Sequence, residues 1–334
     1  MKRIGIAGAT GLVGESLLRL IEADAAGVEE VRLFASEHSA GRQLSLRGRE
    51  LEVRALDPDG FAGLDVAFSC LEADLAARFV PRLAQHCPVI DKSSRFRLDP
   101  GVPLVVPEVN AGTLNGHANI IANPNCTTIP LCVALAPLCE HWEPVALNVA
   151  SYQSVSGAGR AALEQLHYEN EFLALGRAPE PGAGPLPGRI AGNLIPRIGA
   201  LDRHGDAEEE LKLRHETRKI LGLPDLAVSA TCVRVPVAVG HALAVHARFR
   251  TAVKPREACA RLADAPGIKL STDEETVTPV EAEGRDEVFV GRVRAGATPE
   301  ELCLWIVTDN LRKGAALNAL QIARLLAREV RCFC

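Results

Sequence analysis

The segment Asn123–Pro124–Asn125–Cys126–Thr127–Thr128–Ile129–Pro130 sets one thiol among turn and cap formers, directly ahead of an Ala/Leu-rich stretch. Pro130 has no N–H to give, so it belongs in the first three positions of a helix running to about Cys139. The N-cap then falls at Thr127 or later, and Cys126 lies just before the helix mouth. A thiol there faces the positive end of the helix dipole, which lowers its pKa and favours the nucleophilic thiolate. A nucleophile also needs an acid/base and charge partners. His241 follows Gly240 at the far side of the strand-like run Cys232–Val237, a position from which an imidazole enters a cleft. Arg234 lies inside that otherwise apolar run, and a buried guanidinium calls for an anion, either a protein carboxylate or a substrate. Glu209 and Lys212 are three apart on a predicted helix and share a face. Taken singly, a packed histidine and a solvated ion pair remain open readings for these last residues.

A second pattern opens the chain. Ile4–Gly5–Ile6–Ala7–Gly8–Ala9–Thr10–Gly11–Leu12–Val13–Gly14 reads as a strand, a tight turn and a helix start. Gly8 permits the turn, Gly11 lets the backbone approach a pyrophosphate, and Gly14 allows close helix–strand packing. The helix N-terminus adds free N–H groups and partial positive charge. The spacing is G-x-x-G-x-x-G, and its place between a strand and a helix makes it a dinucleotide turn rather than a bare glycine triplet. The next strand ends in Ala35–Ser36–Glu37–His38–Ser39–Ala40–Gly41–Arg42. Ser36, Ser39 and Arg42 suit a ribose 2′-phosphate and Glu37 a free 2′-hydroxyl, so this segment alone leaves NADP against NAD open.

Elements must carry these residues. Strands are predicted at 3–7, 31–35, 51–55, 66–70 and 88–91, with helices after Gly14 and over 73–86, an alternation that gives a parallel, doubly wound sheet. The character changes after about residue 125. The helix from Thr128 to Cys139 is followed by strands at 145–152, 227–236, 241–251, 287–294 and 301–308, and by a Pro/Gly-rich loop over 177–189. A last Ala/Leu-rich helix is predicted over 314–331. The expected organisation is α/β: a dinucleotide-binding domain over 1–125, joined by the C-terminal helix from about 312–334, and a second α+β domain over 126–311.

Bulk properties bound the function. The chain has 334 residues, for which two domains are the natural expectation. A net charge of −5 without long runs of one sign argues against nucleic acid or an anionic membrane as the main partner. No stretch resembles a membrane span or a targeting segment, so a cytoplasmic location is expected. Of the ten cysteines, Cys70, Cys132, Cys232 and Cys303 sit in apolar runs and read as buried, reduced thiols. Only Cys332 and Cys334 have tight ligand-like spacing, and no metal site is expected.

Several segments together resemble the aspartate-semialdehyde dehydrogenase family. They are Gly8–Gly14, Asp91–Arg97, Val102–Asn110, Asn123–Thr128, Tyr152–Gly159, Glu216–Ile220, Arg234–Pro236 with Gly240–His241, and Asp309–Asn318, in the family's order and over nearly the whole chain. The resemblance implies a Rossmann-type first domain and a second domain used for catalysis and homodimer formation. It implies Cys126 as nucleophile, His241 as acid/base and Gln153 as an orienting residue. Arg234 would grip the substrate α-carboxylate and Glu209 face its ammonium group. Arg97 and Lys212 would bind phosphate, with Asn125 lining that site. Gly8, Thr10, Gly11, Leu12, Val13, Ser36, Ser39, Ser156, Gly157 and Asn310 would contact the cofactor, and the two serines tip the balance to NADP. The implied reaction links aspartyl 4-phosphate and aspartate 4-semialdehyde through a cysteine thioester, in amino-acid biosynthesis leading to lysine through diaminopimelate, methionine and threonine.

The chain departs from the family pattern at Lys92 and Arg95, which add positive charge beside the phosphate residues, at Pro130, and at Glu37–His38, which weighs against strict NADP preference. Two alternatives stand beside this reading. One is another acyl-phosphate reductase, such as the N-acetyl-glutamyl-phosphate reductases, although Glu209 suits a free ammonium group. Glyceraldehyde-3-phosphate dehydrogenase shares only the Cys-Thr-Thr step. The other is a non-catalytic relative that keeps the fold, against which the retention of Cys126, Gln153, Arg234 and His241 speaks.

Overall fold

The computed structural model describes all residues except 25–26, 116–117, 181, 183, 272–276 and 333–334, and no side chains over 329–332. The chain divides into two compact units, one formed by Met1–Asn125 and Ala315–Cys334 and the other by Cys126–Gly314.

The first unit is a seven-stranded sheet, β1 (Arg3–Ala7), β2 (Glu30–Ala35), β3 (Gln43–Leu46), β4 (Arg49–Ala55), β5 (Val66–Ser69), β6 (Val89–Asp91) and β7 (Ile120–Ala122), in the order β3-β4-β2-β1-β5-β6-β7. All neighbours are parallel except β3 and β4. The edge strand β3 and the three-residue β7 were not anticipated, being too short to show a period. β1 lies between β2 and β5, so the chain reverses its direction of sheet growth there, and the turn after β1 opens at this switch point. Helices α1 (Leu12–Ala23), α2 (Ala73–Leu83) and α3 (Pro107–Asn110) belong to this unit. So does the last helix, α9 (Leu317–Cys332), preceded by a π-turn over Arg312–Ala316 where a continuous helix was expected. Leu317, Leu320, Ile322 and Ala323 of α9 share one core with Leu17 and Ile21 of α1 and with Ile4, Ile6 and Leu33 of the sheet.

The second unit holds a six-stranded mixed sheet. Its strands are β8 (Pro144–Gln153), β9 (Ala227–Arg234), β10 (His241–Phe249), β11 (Ile268–Leu270), β12 (Val288–Ala295) and β13 (Glu301–Thr308), ordered β11-β12-β13-β10-β8-β9. β9 was expected to reach Pro236 but stops at Arg234, because a proline cannot donate to the ladder. Helices α4 (Thr128–Cys139), α5 (Arg160–Ala174), α6 (Glu208–Leu221), α7 (Pro255–Ala263) and α8 (Pro279–Ala282) complete it. α4 is buried along nearly its whole length, contacting α6, α7, β12 and β13. An all-apolar surface suits that central place.

Candidate active site

In the first unit the glycine turn behaves as its residues dictate. Gly8 takes φ +83, and a Cβ there would stand 2.9 Å from the Cys70 carbonyl oxygen. A Cβ on Gly14 would lie 2.4 Å from the Gly8 oxygen and 2.8 Å from Ala9 Cα, so α1 meets the turn backbone to backbone. Gly11 is the N-cap of α1, and the nearest atom to a Cβ built on it is 3.5 Å away. The result is a helix mouth with an exposed glycine at its N-cap, which fits a dinucleotide pyrophosphate. Ser36 follows β2 as the N-cap of a short 3₁₀ turn that carries Glu37, His38 and Ser39. Ser36, Glu37 and His38 are all exposed, so an acidic and a hydroxyl side chain both border the ribose position.

Arg97 and Asn125 are also in this unit, and both are buried. Arg97 Nε donates to the Asn123 carbonyl at 3.1 Å, and its charge opposes the rise that burial imposes on the Asp91 carboxyl. The two extra cations behave differently from expectation. Lys92 pairs with Glu72 at 3.0 Å. Arg95 pairs with Asp99 at 3.4 Å and lies over the Phe96 ring. Carboxylates in reach therefore offset both charges.

The second unit assembles the thiol and its partners. Thr127 is the N-cap of α4 and Pro130 its third residue, so Cys126 immediately precedes the helix mouth. The Cys126 side chain is partly exposed, unlike the buried Cys132 and Cys232. Burial pushes the Cys232 thiol up to about 12 and raises Cys132 well above its ordinary value, which keeps both protonated. Gly314 lies against Cys126, with a would-be Cβ 3.3 Å from the cysteine Cβ.

Arg234, the last residue of β9, is the common neighbour. Burial lowers its pKa, while a Cys126 thiolate and the Glu209 carboxylate both act to raise it again. Its Nη1 donates to the Ser154 carbonyl at 2.7 Å. A Cβ on Gly157 would meet this same Nη1 at 2.9 Å and His241 Nε2 at 3.2 Å. The bare Cα of Gly157 thus gives the guanidinium and the imidazole room side by side.

His241 is fully buried at the start of β10. Burial, with the Arg234 charge, brings its pKa down to about 3, so the ring is neutral near pH 7. Gln153 pairs with Arg234 in the β8–β9 register and donates to Ser151 Oγ at 3.2 Å. Glu209, in the first turn of α6, is buried and lies 3.4 Å from Lys212 Nζ, which also meets Glu208 at 2.8 Å. The solvated-pair reading of Glu209 and Lys212 therefore fails for the carboxylate, which is nearly enclosed. Ser156 and Asn310 were expected beside the cofactor. The structure commits both side chains to one buried hydrogen-bond cluster with Ser154.

Ser154 was quoted in the family segment but given no role. The polar run Gln153–Ser154–Val155–Ser156 at a strand end is the signal that was available. Glu210 is a second omission: its carboxylate accepts from the Ala207 N–H at 2.7 Å and the Cys232 N–H at 3.0 Å, tying the start of α6 to β9. Among the described residues, His246, Glu301 and Cys303 are the one group with metal-ligand donor types close together. They face one another across β10 and β13, where His246 Nδ1 meets Glu301 at 2.8 Å.

Comparison with known proteins decides the family. Residues 3–117 match the family model "Semialdehyde dehydrogenase, NAD binding domain", and residues 135–313 match "Semialdehyde dehydrogenase, dimerisation domain". The chain is 42% identical over 335 residues to the aspartate-semialdehyde dehydrogenase of Aquifex aeolicus, covering 98% of both proteins. The chain belongs to the aspartate-semialdehyde dehydrogenase family. The aspartate-semialdehyde dehydrogenase of Synechocystis is 41% identical, with 97% of each chain covered. Among solved structures, aspartate semialdehyde dehydrogenase II of Vibrio cholerae, complexed with ASA, superposes with a TM-score of 0.94 at 39% identity over 98% of this chain and 99% of that one. The Candida albicans enzyme, solved with NADP, superposes with a TM-score of 0.78 at 26% identity, covering 98% of each chain. An enzyme of the aspartate-semialdehyde dehydrogenase family, with a nicotinamide cofactor and a small-molecule substrate, accounts for both units. No helix among the described residues is long and apolar enough to cross a membrane.

Proposed function

We propose that this chain carries out the NADP-dependent reductive dephosphorylation of aspartyl 4-phosphate to aspartate 4-semialdehyde, and the reverse phosphorylating oxidation, through a thioester on Cys126. The observation that carries the reading is the partly exposed thiol at the mouth of α4, within electrostatic reach of Arg234, whose guanidinium shares the Gly157 gap with His241.

The Cys126 thiolate, favoured by the helix end and by Arg234, attacks the C4 carbonyl of the acyl phosphate; the C–S bond forms and the C–O bond to phosphate breaks. Arg97 and Lys212 are proposed as the cations for the phosphate, and Asn125 as a further ligand to it. When bound, the nicotinamide supplies the hydride that reduces the thioester. His241 then meets the oxygen on which negative charge develops in the hemithioacetal. Collapse of that adduct restores the Cys126 thiolate and frees the aldehyde. In the oxidative direction the hydroxyl proton leaves towards His241. Arg234 takes the substrate α-carboxylate, Glu209 its ammonium group, and Gln153 orients the reacting groups. An enclosed carboxylate at 209 favours a free amine over an acylated one, which separates this substrate from N-acetylated analogues.

The glycine turn, with Gly8, Thr10, Gly11, Leu12 and Val13, is proposed to hold the cofactor, and Ser36 and Ser39 its 2′-phosphate. The dimerisation-domain match supports a homodimer. The described cysteines are all free thiols, in keeping with a reducing cytoplasm. The test is NADPH formation from aspartate 4-semialdehyde and phosphate by the wild-type protein and by Cys126→Ala. Turnover is expected in the first only. Equal turnover in both refutes the thioester, and cofactor binding with no turnover in either gives the non-catalytic reading.

A further inference from the structure

We propose that Ser154 and Asn310 are positioning residues that hold the single proton of neutral His241 on Nε2, so that the ring meets the reacting oxygen as a hydrogen-bond donor. The inference rests on the reading of His241 as the group facing that oxygen.

The geometry around Nδ1 decides the tautomer. Nδ1 lies 3.1 Å from the Ser154 backbone nitrogen. A backbone N–H can only donate, so Nδ1 must be the accepting, unprotonated nitrogen, and in a neutral ring the hydrogen then sits on Nε2. Nε2 is buried and has no hydrogen-bond partner among the described residues. A buried N–H left unpaired is costly, and such groups occur where a ligand is to be received. Nε2 faces the space left by the missing Cβ of Gly157, next to Arg234 Nη1.

Asn310 clamps this arrangement. Its Oδ1 accepts from the Gly240 N–H at 2.8 Å, which fixes which way the amide points. The same oxygen is 3.0 Å from Ser154 Oγ and 3.2 Å from Ser156 Oγ, while Nδ2 donates to Ser156 Oγ at 3.0 Å. Ser154 Oγ is in turn 3.0 Å from His241 Nδ1. One buried amide thus holds the residue before the ring and the hydroxyl beneath it. Three segments meet there: the end of β8, the start of β10 and the exit of β13. Gly240 is obligatory in this corner, with φ +96 and a would-be Cβ 2.7 Å from the Pro279 carbonyl oxygen.

The chemical consequence is directional. In the reductive sense the Nε2–H donates to the carbonyl oxygen and to the oxyanion that follows, with no proton transfer needed before the adduct collapses. In the oxidative sense the ring must first change tautomer through solvent, Nε2 releasing its hydrogen to water and Nδ1 taking one from water. Nδ1–H then donates to Ser154 Oγ, whose O–H donates a hydrogen bond to Asn310 Oδ1, and the free Nε2 accepts the hydroxyl proton. The hydroxyl can serve either tautomer; the backbone N–H selects the resting one.

The experiment is ¹⁵N NMR of the full-length protein labelled at histidine, with the His241 signals assigned by their loss in His241→Asn. Wild type is expected to show a protonated Nε2 and a pyridine-like Nδ1 at neutral pH. Asn310→Ala, which releases the segments carrying the Ser154 N–H and Gly240, should shift both signals towards tautomer averaging, whereas Ser154→Ala, which keeps the backbone N–H, should leave the resting tautomer in place. Both should lower kcat, Asn310→Ala on the order of 10²-fold, with KM nearly unchanged. Ser154→Thr, which keeps the hydroxyl, should restore most of kcat. A pyridine-like Nε2 in wild type overturns the proposal whatever the turnover. Spectra and kcat both unmoved in Asn310→Ala and Ser154→Ala overturn the positioning role. Should the wild type show the expected tautomer but no turnover, the proton placement stands and the proposed reaction falls.

Discussion

The mouths of α1 and α4 begin alike, with the chain leaving an extended segment for a helix, and are finished in opposite ways. At α1 the approach is made by glycines: the Gly8 and Gly11 N–H groups close the turn onto Phe34 and Gly8, Gly14 packs backbone to backbone, and Gly11 stands exposed as the N-cap. At α4 the first turn is sunk into the core, with Thr127 and Thr128 fully buried, and Cys126 stands just ahead of it. The same dipole serves two purposes. Spread over bare backbone it suits a diffuse anion such as a pyrophosphate; directed at one sulfur it stabilises a thiolate. On the proposed function, affinity at the first mouth depends on shape, whereas chemistry at the second depends on one atom and its neighbours.

Five substitutions or measurements break or sharpen that contrast. Cys126→Ala should have the largest effect, removing on the order of 10⁴-fold or more of kcat while the NADP dissociation constant and unfolding midpoint stay near wild type. Gly14→Ala should do the reverse. It forces a Cβ to 2.4 Å from the Gly8 oxygen, so denaturant titration should show about 1–3 kcal/mol lost along with cofactor affinity. Gly11→Ala, at an open position, should weaken the cofactor with little change in stability.

The buried imidazole gives a pH test. The His241 pKa is about 3 in the folded chain against 6.5 as its ordinary value. The unfolded chain therefore holds the extra proton between these pH values, and the stability this group contributes is complete above about 6.5. It is lost as pH falls through that window, by about 1.4 kcal/mol per unit. Unfolding free energies measured from pH 6.5 to 4.5 should show a slope shallower by one proton in His241→Gln; identical slopes would remove the burial argument. Arg234→Lys should have the smallest effect, raising KM on the order of 10–100-fold with kcat less affected, because the planar fork that grips a carboxylate is lost.

What was legible in the sequence follows the range of the forces involved. The glycine turn is written in seven consecutive residues, because a positive φ at Gly8 and the close approach at Gly14 depend on atoms a few positions away. The place of Cys126 followed from Pro130 alone. The partners of His241 were not legible in the same way: Ser154 and His241 are 87 positions apart, and Ser154 and Asn310 are 156 apart. Only the fold brings these together. The charges of Lys92 and Arg95 were visible, but not that Glu72 and Asp99 would answer them.

The helix α9 carries Leu317, Leu320 and Ile322 into the core built on β1 and α1, although the whole of Cys126–Gly314 is made between them. On the ribosome the inner unit has all of its own sequence before the outer one does. The glycine-turn sheet must therefore wait, part of its apolar surface uncovered, until synthesis has passed residue 326. Its maturation is the later event, and a chain released before that point would have an unfinished first sheet although the sequence of the second is complete.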